Sequence, residues 1–148
     1  AIYINELLDD CMDQIAQVHP EAKLVLNYAN FPEQEEDLLF KGNASLITTA
    51  ILGLLENACK YGVGNPILID IGFDSKSLSI SIQNQGSLIP EVDRERLFTA
   101  FFRSSNTEDK RGFGLGLVLA FKIIHLHKGQ LSYQVKNDAN CFVCTLPK

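Results

Sequence analysis

The chain has 148 residues, 46% of them hydrophobic, and a formal net charge of -5, which allows a well-filled core and gives the wrong sign for a nucleic-acid surface. No apolar run approaches the roughly 20 residues that cross a bilayer, and the opening Ala1-Ile2-Tyr3-Ile4-Asn5-Glu6 lacks the basic start of a secretory leader. A soluble single domain over 1–148 is expected, without nucleic acid or direct membrane contact.

A helix is predicted from a cap at Asn5 to about Val18, because Leu7, Leu8, Cys11, Ile15 and Val18 recur at helical spacing. Lys23 to Tyr28 alternates as a half-buried strand, and the acidic stretch Pro32 to Asp37 reads as a solvated turn before a short strand at Leu38 to Phe40. The longest helical pattern runs from about Ser45 to Tyr61 and stops at Gly62. Ile67 to Phe73 and Leu78 to Ile82 flank Asp74-Ser75-Lys76-Ser77 as a hairpin, followed by an irregular loop from Gln85 to Pro90 and a helix from about Glu91 to Phe101. Ser104 to Arg111 holds no large apolar residue and reads as a mobile loop. A helix from about Leu115 to His127 then precedes a last hairpin, Gln130 to Val135 and Cys141 to Leu146, turning around Asn137-Asp138-Ala139-Asn140. Helices and strands mix without strict alternation. The predicted fold class is α+β: a two-layer sandwich with three main helices on one face of a mixed, mostly antiparallel sheet.

Four cysteines raise the question of a metal. Cys141 and Cys144 have zinc-knuckle spacing, but residues three apart on a strand point to opposite faces, and no second pair completes four ligands. Reduced, mostly buried thiols are expected.

Three segments carry residue types suited to a nucleotide. Asn57 lies in an otherwise apolar helical stretch, with Lys60 and Tyr61 three and four residues on and therefore on its side of the helix. An unpaired buried amide costs about 1–3 kcal/mol, so Asn57 is expected to have a partner. Gly112-Phe113-Gly114-Leu115-Gly116-Leu117 puts three alternate glycines at the mouth of a helix, where free N–H groups and the dipole favour an anion. Asn84-Gln85-Gly86 ends a strand in an amide acceptor and a glycine that lets a flat ring approach the backbone. Each segment alone also suits a plain amphipathic edge or turn.

In this order the segments resemble the nucleotide-binding boxes of histidine kinases, within the family that includes gyrase, Hsp90 and MutL. Leu54 to Tyr61 is similar to the asparagine box and Asn84 to Gly86 to the first glycine box. Leu97-Phe98-Thr99-Ala100-Phe101-Phe102-Arg103 is similar to the phenylalanine box, and Gly112 to Leu117 to the second glycine box. Three positions depart from the pattern: Asn84 stands for the usual Asp, Leu88 for a second Gly, and Lys128 for a Gly after His127.

The resemblance implies a Bergerat-type ATP-binding fold and the catalytic domain of a two-component sensor histidine kinase. Its substrate would be ATP and its cofactor Mg²⁺, held by Asn57. Lys60, Tyr61, Arg103, Gly112, Gly114, Leu115, Gly116 and Leu117 would surround the phosphates, with Ser104 to Arg111 as the lid. Asn84 and Gly86 would receive the adenine. Phe98, Phe101 and Phe102 are expected to anchor the lid by packing.

The phosphate acceptor is expected on a separate dimerisation segment absent from these residues. His19, His125 and His127 are the only histidines, and none has a phosphoacceptor context. A response regulator would be reached through the full-length kinase, in the cytoplasm, either free or as part of a membrane sensor. A hydrolase of the gyrase or Hsp90 kind needs a general base one turn before the metal-binding Asn, and that residue is Gly53. The alternative reading is a degenerate, non-catalytic nucleotide-binding or docking module, favoured by Asn84 and Leu88.

Overall fold

The computed structural model describes residues 1–62, 64, 66–99 and 115–148, with Leu115 described by its backbone only. After the short strand β1 (Ile2–Tyr3), helix α1 (Ile4–Val18) buries Ile4, Leu7, Leu8, Cys11 and Ile15 on one stripe. The expected Asn5 cap is not the one used: the helix starts from the extended backbone of Tyr3, and the buried Asn5 Oδ1 has no hydrogen-bond partner among the described residues. Ile4 is fully buried, so drawing it into the first turn adds apolar contact that a start after Asn5 would forgo.

Strand β2 (Leu24–Tyr28) follows, and part of the acidic turn is a 3₁₀ helix, Glu35–Leu38. There Asp37 Oδ2 accepts the backbone N–H groups of Glu33 and Gln34. Strand β3 (Leu39–Phe40) pairs antiparallel with β1 as a separate two-stranded ribbon.

Helix α2 (Ala44–Tyr61) is capped by Asn43, whose Oδ1 accepts from the Leu46 N–H at 3.0 Å. Strands β4 (Ile67–Phe73) and β5 (Ser77–Asn84) form the predicted hairpin. Its turn is fixed by Asp74 Oδ1, which accepts from the N–H groups of Lys76 at 2.7 Å and Ser77 at 2.8 Å; these bonds hold the Asp74 carboxyl below its ordinary range.

The predicted helix at Glu91 is instead a 3₁₀ helix, Glu91–Arg96. None of its residues is buried, so it has no apolar stripe to hold a longer α-helix against the core. Helix α3 (Leu115–Leu126) and strands β6 (Gln130–Lys136) and β7 (Ala139–Pro147) complete the described chain. The last turn is tighter than expected. Only Asn137 and Asp138 form it, both at positive φ (53° and 59°), as a two-residue hairpin turn requires, so β7 begins at Ala139.

The five strands lie in the order β2-β4-β5-β7-β6. Only β2 and β4 are parallel. Ile67, Ile69 and Ile71 of β4, Leu78, Ile80 and Ile82 of β5, and Phe142, Cys144 and Leu146 of β7 belong to one core, together with the buried stripes of all three helices. This is the two-layer α+β sandwich the sequence predicts. Cys141 lies outside that core cluster while Cys144 lies within it, as strand alternation requires. Burial pushes the Cys11 and Cys144 thiols up to about 12, which keeps them protonated as small apolar side chains. Among the described residues no helix is long and apolar enough to cross a membrane.

Helices α2 and α3 are tied at two places. A β-carbon on Gly53 would lie 3.2 Å from the Gly116 carbonyl oxygen, so the helices touch backbone to backbone near the start of α3. At the other end of α2, His127 Nε2 accepts the Asn43 N–H at 3.0 Å while its Nδ1 faces the Ile123 carbonyl at 2.9 Å. Those partners fix the neutral tautomer with the proton on Nδ1. His127→Ala removes both bonds, and a loss of about 1 kcal/mol is expected in urea unfolding. An unchanged midpoint would show that the tie carries no stability.

Candidate functional site

The apolar stripe of the sheet gives way to amides at one end. In β5 the core-facing series Leu78, Ile80, Ile82 ends in Asn84, and in β7 the series Leu146, Cys144, Phe142 ends in Asn140. The two asparagines are direct partners in the β5–β7 register and are 3% and 4% exposed. Asn84 Nδ2 donates to the Gln85 carbonyl at 3.2 Å, an orientation that assigns the acceptor role to its Oδ1.

The C-terminal end of α2 meets this corner. A β-carbon on Gly62 would stand 3.7 Å from Asn84 Cβ, and one on Gly86 would stand 2.5 Å from the Tyr61 carbonyl oxygen. Gly86 also has φ of 152°, a conformation L-residues rarely adopt. The first-glycine segment is therefore seated directly on the end of the helix that carries Asn57, Lys60 and Tyr61.

Asn57 is half-buried, and its side chain makes no hydrogen bond among the described residues, contrary to the partner expected from sequence. Lys60 is exposed and Tyr61 half-buried. The Gly53–Gly116 contact brings the start of α3, with the backbone of Leu115, Gly116 and Leu117, against α2 one turn before Asn57. The start of α3 and the end of β5 with its loop thus meet α2, and the described parts of all three predicted segments contribute to that region. Arg103, Gly112 and Gly114 lie outside the described residues, as do Phe101, Phe102 and the segment Ser104 to Arg111. Phe98 packs as expected, stacked on Phe121 of α3 with ring centroids 5.0 Å apart and edge-on to Phe142 of β7 at 6.3 Å.

The acidic and histidine side chains near α2 are engaged elsewhere. Glu56, the residue before Asn57, directs Oε1 to His19 Nε2 at 2.7 Å, linking α2 to the C-terminal cap of α1. His125 lies against the Phe121 ring at 4.3 Å. With Gly53 packed on α3, no carboxylate stands one turn before Asn57.

Two residues of this corner escaped the sequence reading. The sequence pattern places Asn140 in a turn and Tyr133 in a plain strand, yet Tyr133 Oη donates to Asn140 Oδ1 at 2.5 Å, and Asn140 Nδ2 donates to the Ser87 carbonyl at 3.1 Å. The available signal was phase: Asn140 is a polar residue in step with Phe142, Cys144 and Leu146.

Comparison with known proteins agrees with this architecture. The family model "Histidine kinase-, DNA gyrase B-, and HSP90-like ATPase" matches residues 42–148. The adaptive-response sensory kinase SasA of Rippkaea orientalis (strain PCC 8801 / RF-1) is 32% identical over 149 residues, covering 99% of this chain and 37% of the relative. The heme sensor protein HssS of Staphylococcus haemolyticus (strain JCSC1435) is 35% identical over 111 residues, or 74% of this chain and 24% of the relative. The chain therefore spans well under half the length of these kinases. The nucleotide-free catalytic domain of histidine kinase ThkA superposes with a TM-score of 0.83 at 25% identity, covering 99% of this chain and 95% of that one. ThkA is also known in complex with the response regulator protein TrrA; that structure matches at a TM-score of 0.80 and 23% identity, covering 99% of this chain and 41% of that one.

Gly86→Ala tests the seat of the loop on α2. The forced conformation costs about 1–3 kcal/mol and drives the loop off the Tyr61 carbonyl. We expect a lower melting temperature and nucleotide affinity weakened by about tenfold or more, read by calorimetry. A variant that binds and melts like the parent would show that the close approach is dispensable.

Proposed function

We propose that this chain, which belongs to the histidine kinase-, DNA gyrase B- and HSP90-like ATPase family, is the ATP-binding catalytic lobe of a two-component sensor kinase. The observation that carries this reading is the half-buried Asn57 side chain, without a hydrogen-bond partner among the described residues, beside an acceptor-oriented Asn84 and the start of α3. An amide oxygen is a hard donor suited to Mg²⁺, so the residues present fit that ion. When bound, Mg²⁺ supplies charge neutralisation on the triphosphate.

The chain's own residues supply grip and orientation. Asn84 Oδ1 accepts from the exocyclic amine of adenine, and Gly86 brings the backbone close to the ring. Lys60 and Tyr61 act on the phosphates from the last turn of α2. The backbone N–H groups of Leu115, Gly116 and Leu117 offer donors at a positive helix end. Arg103, Gly112 and Gly114 take the phosphate-facing roles that the family pattern assigns them.

Phosphoryl transfer depends mostly on positioning and electrostatics, so such a lobe phosphorylates whatever nucleophile is presented in line. All three histidines of the chain have structural contacts. The acceptor in this reading is a histidine on a separate dimerisation segment of the parent kinase, and a response regulator receives the phosphate from there. ThkA bound to TrrA supports that partner class. The reading makes the lobe cytoplasmic. Hydrolysis by the chain alone is disfavoured, because Glu56 is held by His19 and Gly53 cannot act as a base.

The test is calorimetric melting with Mg²⁺ and ATP, in which nucleotide at 100 times its Kd adds about 2.7 kcal/mol of stability. Asn57→Ala should lose most of that increment while melting normally without nucleotide, since its side chain makes no protein hydrogen bond among the described residues. Transfer from labelled ATP to an added dimerisation segment then identifies a kinase. No stabilisation at millimolar nucleotide would favour the docking module that Asn84 and Leu88 suggest.

A further inference from the structure

The six-residue loop Gln85–Pro90 carries Gly86 and has no regular structure, so its backbone groups need partners of another kind. The neighbouring hairpin and 3₁₀ helix provide them. Asn140 Nδ2 donates to the Ser87 carbonyl at 3.1 Å, and Tyr133 Oη accepts the Ile89 N–H at 3.2 Å. Tyr133 Oη also donates to Asn140 Oδ1 at 2.5 Å, which uses the hydroxyl as donor and acceptor at once. Arg94 closes the circuit, its Nε donating to the Ile89 carbonyl at 3.2 Å and its guanidinium lying 5.3 Å from the centre of the Tyr133 ring. The ring itself is anchored edge-on to Phe142 at 5.3 Å.

We infer that Tyr133 and Asn140 are positioning residues for nucleotide binding: joined to each other, they hold the loop from Ser87 to Ile89 so that Gly86 stays seated on the end of α2. This rests on the ATP reading above and adds to it the clamp that sets the adenine side. Asn140 faces the same corner as Asn84, yet both ends of its amide are taken by the loop and by Tyr133, so its action on the nucleotide runs through the loop. The geometry is reciprocal. Asn140 fixes the tyrosine hydroxyl, and the hydroxyl fixes which end of the amide faces Ser87. Removing either one frees the other, and their effects should not add.

Tyr133→Phe keeps the ring on Phe142 and Arg94 and removes only the hydroxyl; Asn140→Ala removes the amide. The 148-residue chain, both variants and the double variant are compared by titration calorimetry with ATP and with ADP, each with Mg²⁺, at a temperature where circular dichroism shows all four folded. Each single variant should bind both nucleotides roughly five- to tenfold more weakly, and the double variant little worse than either single one. Equal loss for ATP and ADP marks an effect on the base side.

Hydrogen exchange without nucleotide gives an independent reading: the Ile89 amide should exchange at least about tenfold faster in Tyr133→Phe. Affinities within twofold of the parent, a loss confined to ATP, or an Ile89 amide that exchanges at the parent rate would each overturn the clamp. A parent chain that binds neither nucleotide would count against the ATP reading instead, and the exchange result would still decide whether the clamp exists.

Discussion

Backbone contact along one face of α2 governs the geometry of this protein. Gly86 approaches the Tyr61 carbonyl at the end of the helix, and the Gly116 carbonyl lies against Gly53 two turns earlier. A side chain at Gly86 would push the loop off the end of α2, and one at Gly53 would crowd the α2–α3 contact. Between those contacts stands Asn57, half-buried and without a hydrogen-bond partner among the described residues. In the proposed reading this side chain meets the nucleotide-bound ion.

The rest of the architecture supports that arrangement. The isoleucine-rich stripes of β4 and β5 and the matching stripe of β7 fix the sheet against the helices. The His127 bonds to Asn43 and Ile123 hold the far ends of α2 and α3 together, which supports the helix contact at Gly53. Strand register puts Asn84 opposite Asn140 where the apolar stripe ends, and a polar corner is the result. The Glu56–His19 link takes the one nearby carboxylate on α2 toward α1. On the proposed reading, the absence of a free carboxylate on α2 suits a lobe that delivers phosphate to a partner rather than to water.

Much of this was legible in the residues. Hydrophobic period located α1, α2, α3 and strands β2 to β7 but not the two-residue β1, and the spacing of Asn57, Lys60 and Tyr61 marked one side of α2. What the pattern missed had local physical causes. The helix expected after Pro90 shortened to a 3₁₀ turn because Glu91 to Arg96 bury nothing. The Asn5 cap yielded to the deeper burial of Ile4. Asn140 was hidden by its own residue type, since Asn next to Asn137 and Asp138 reads as turn, while the register makes it a core-facing end of β7. The bonds from Tyr133 and Asn140 to the loop join residues more than 40 positions apart, and no local pattern encodes such a pairing.

The most direct measurement is NMR of the side-chain amides during titration with a non-hydrolysable ATP analogue and Mg²⁺. The account predicts that the Asn57 and Asn84 NH₂ resonances shift together and saturate at one equivalent. Saturable binding that leaves the Asn57 amide unmoved, or that perturbs a surface away from the α2–β5 corner, would contradict it.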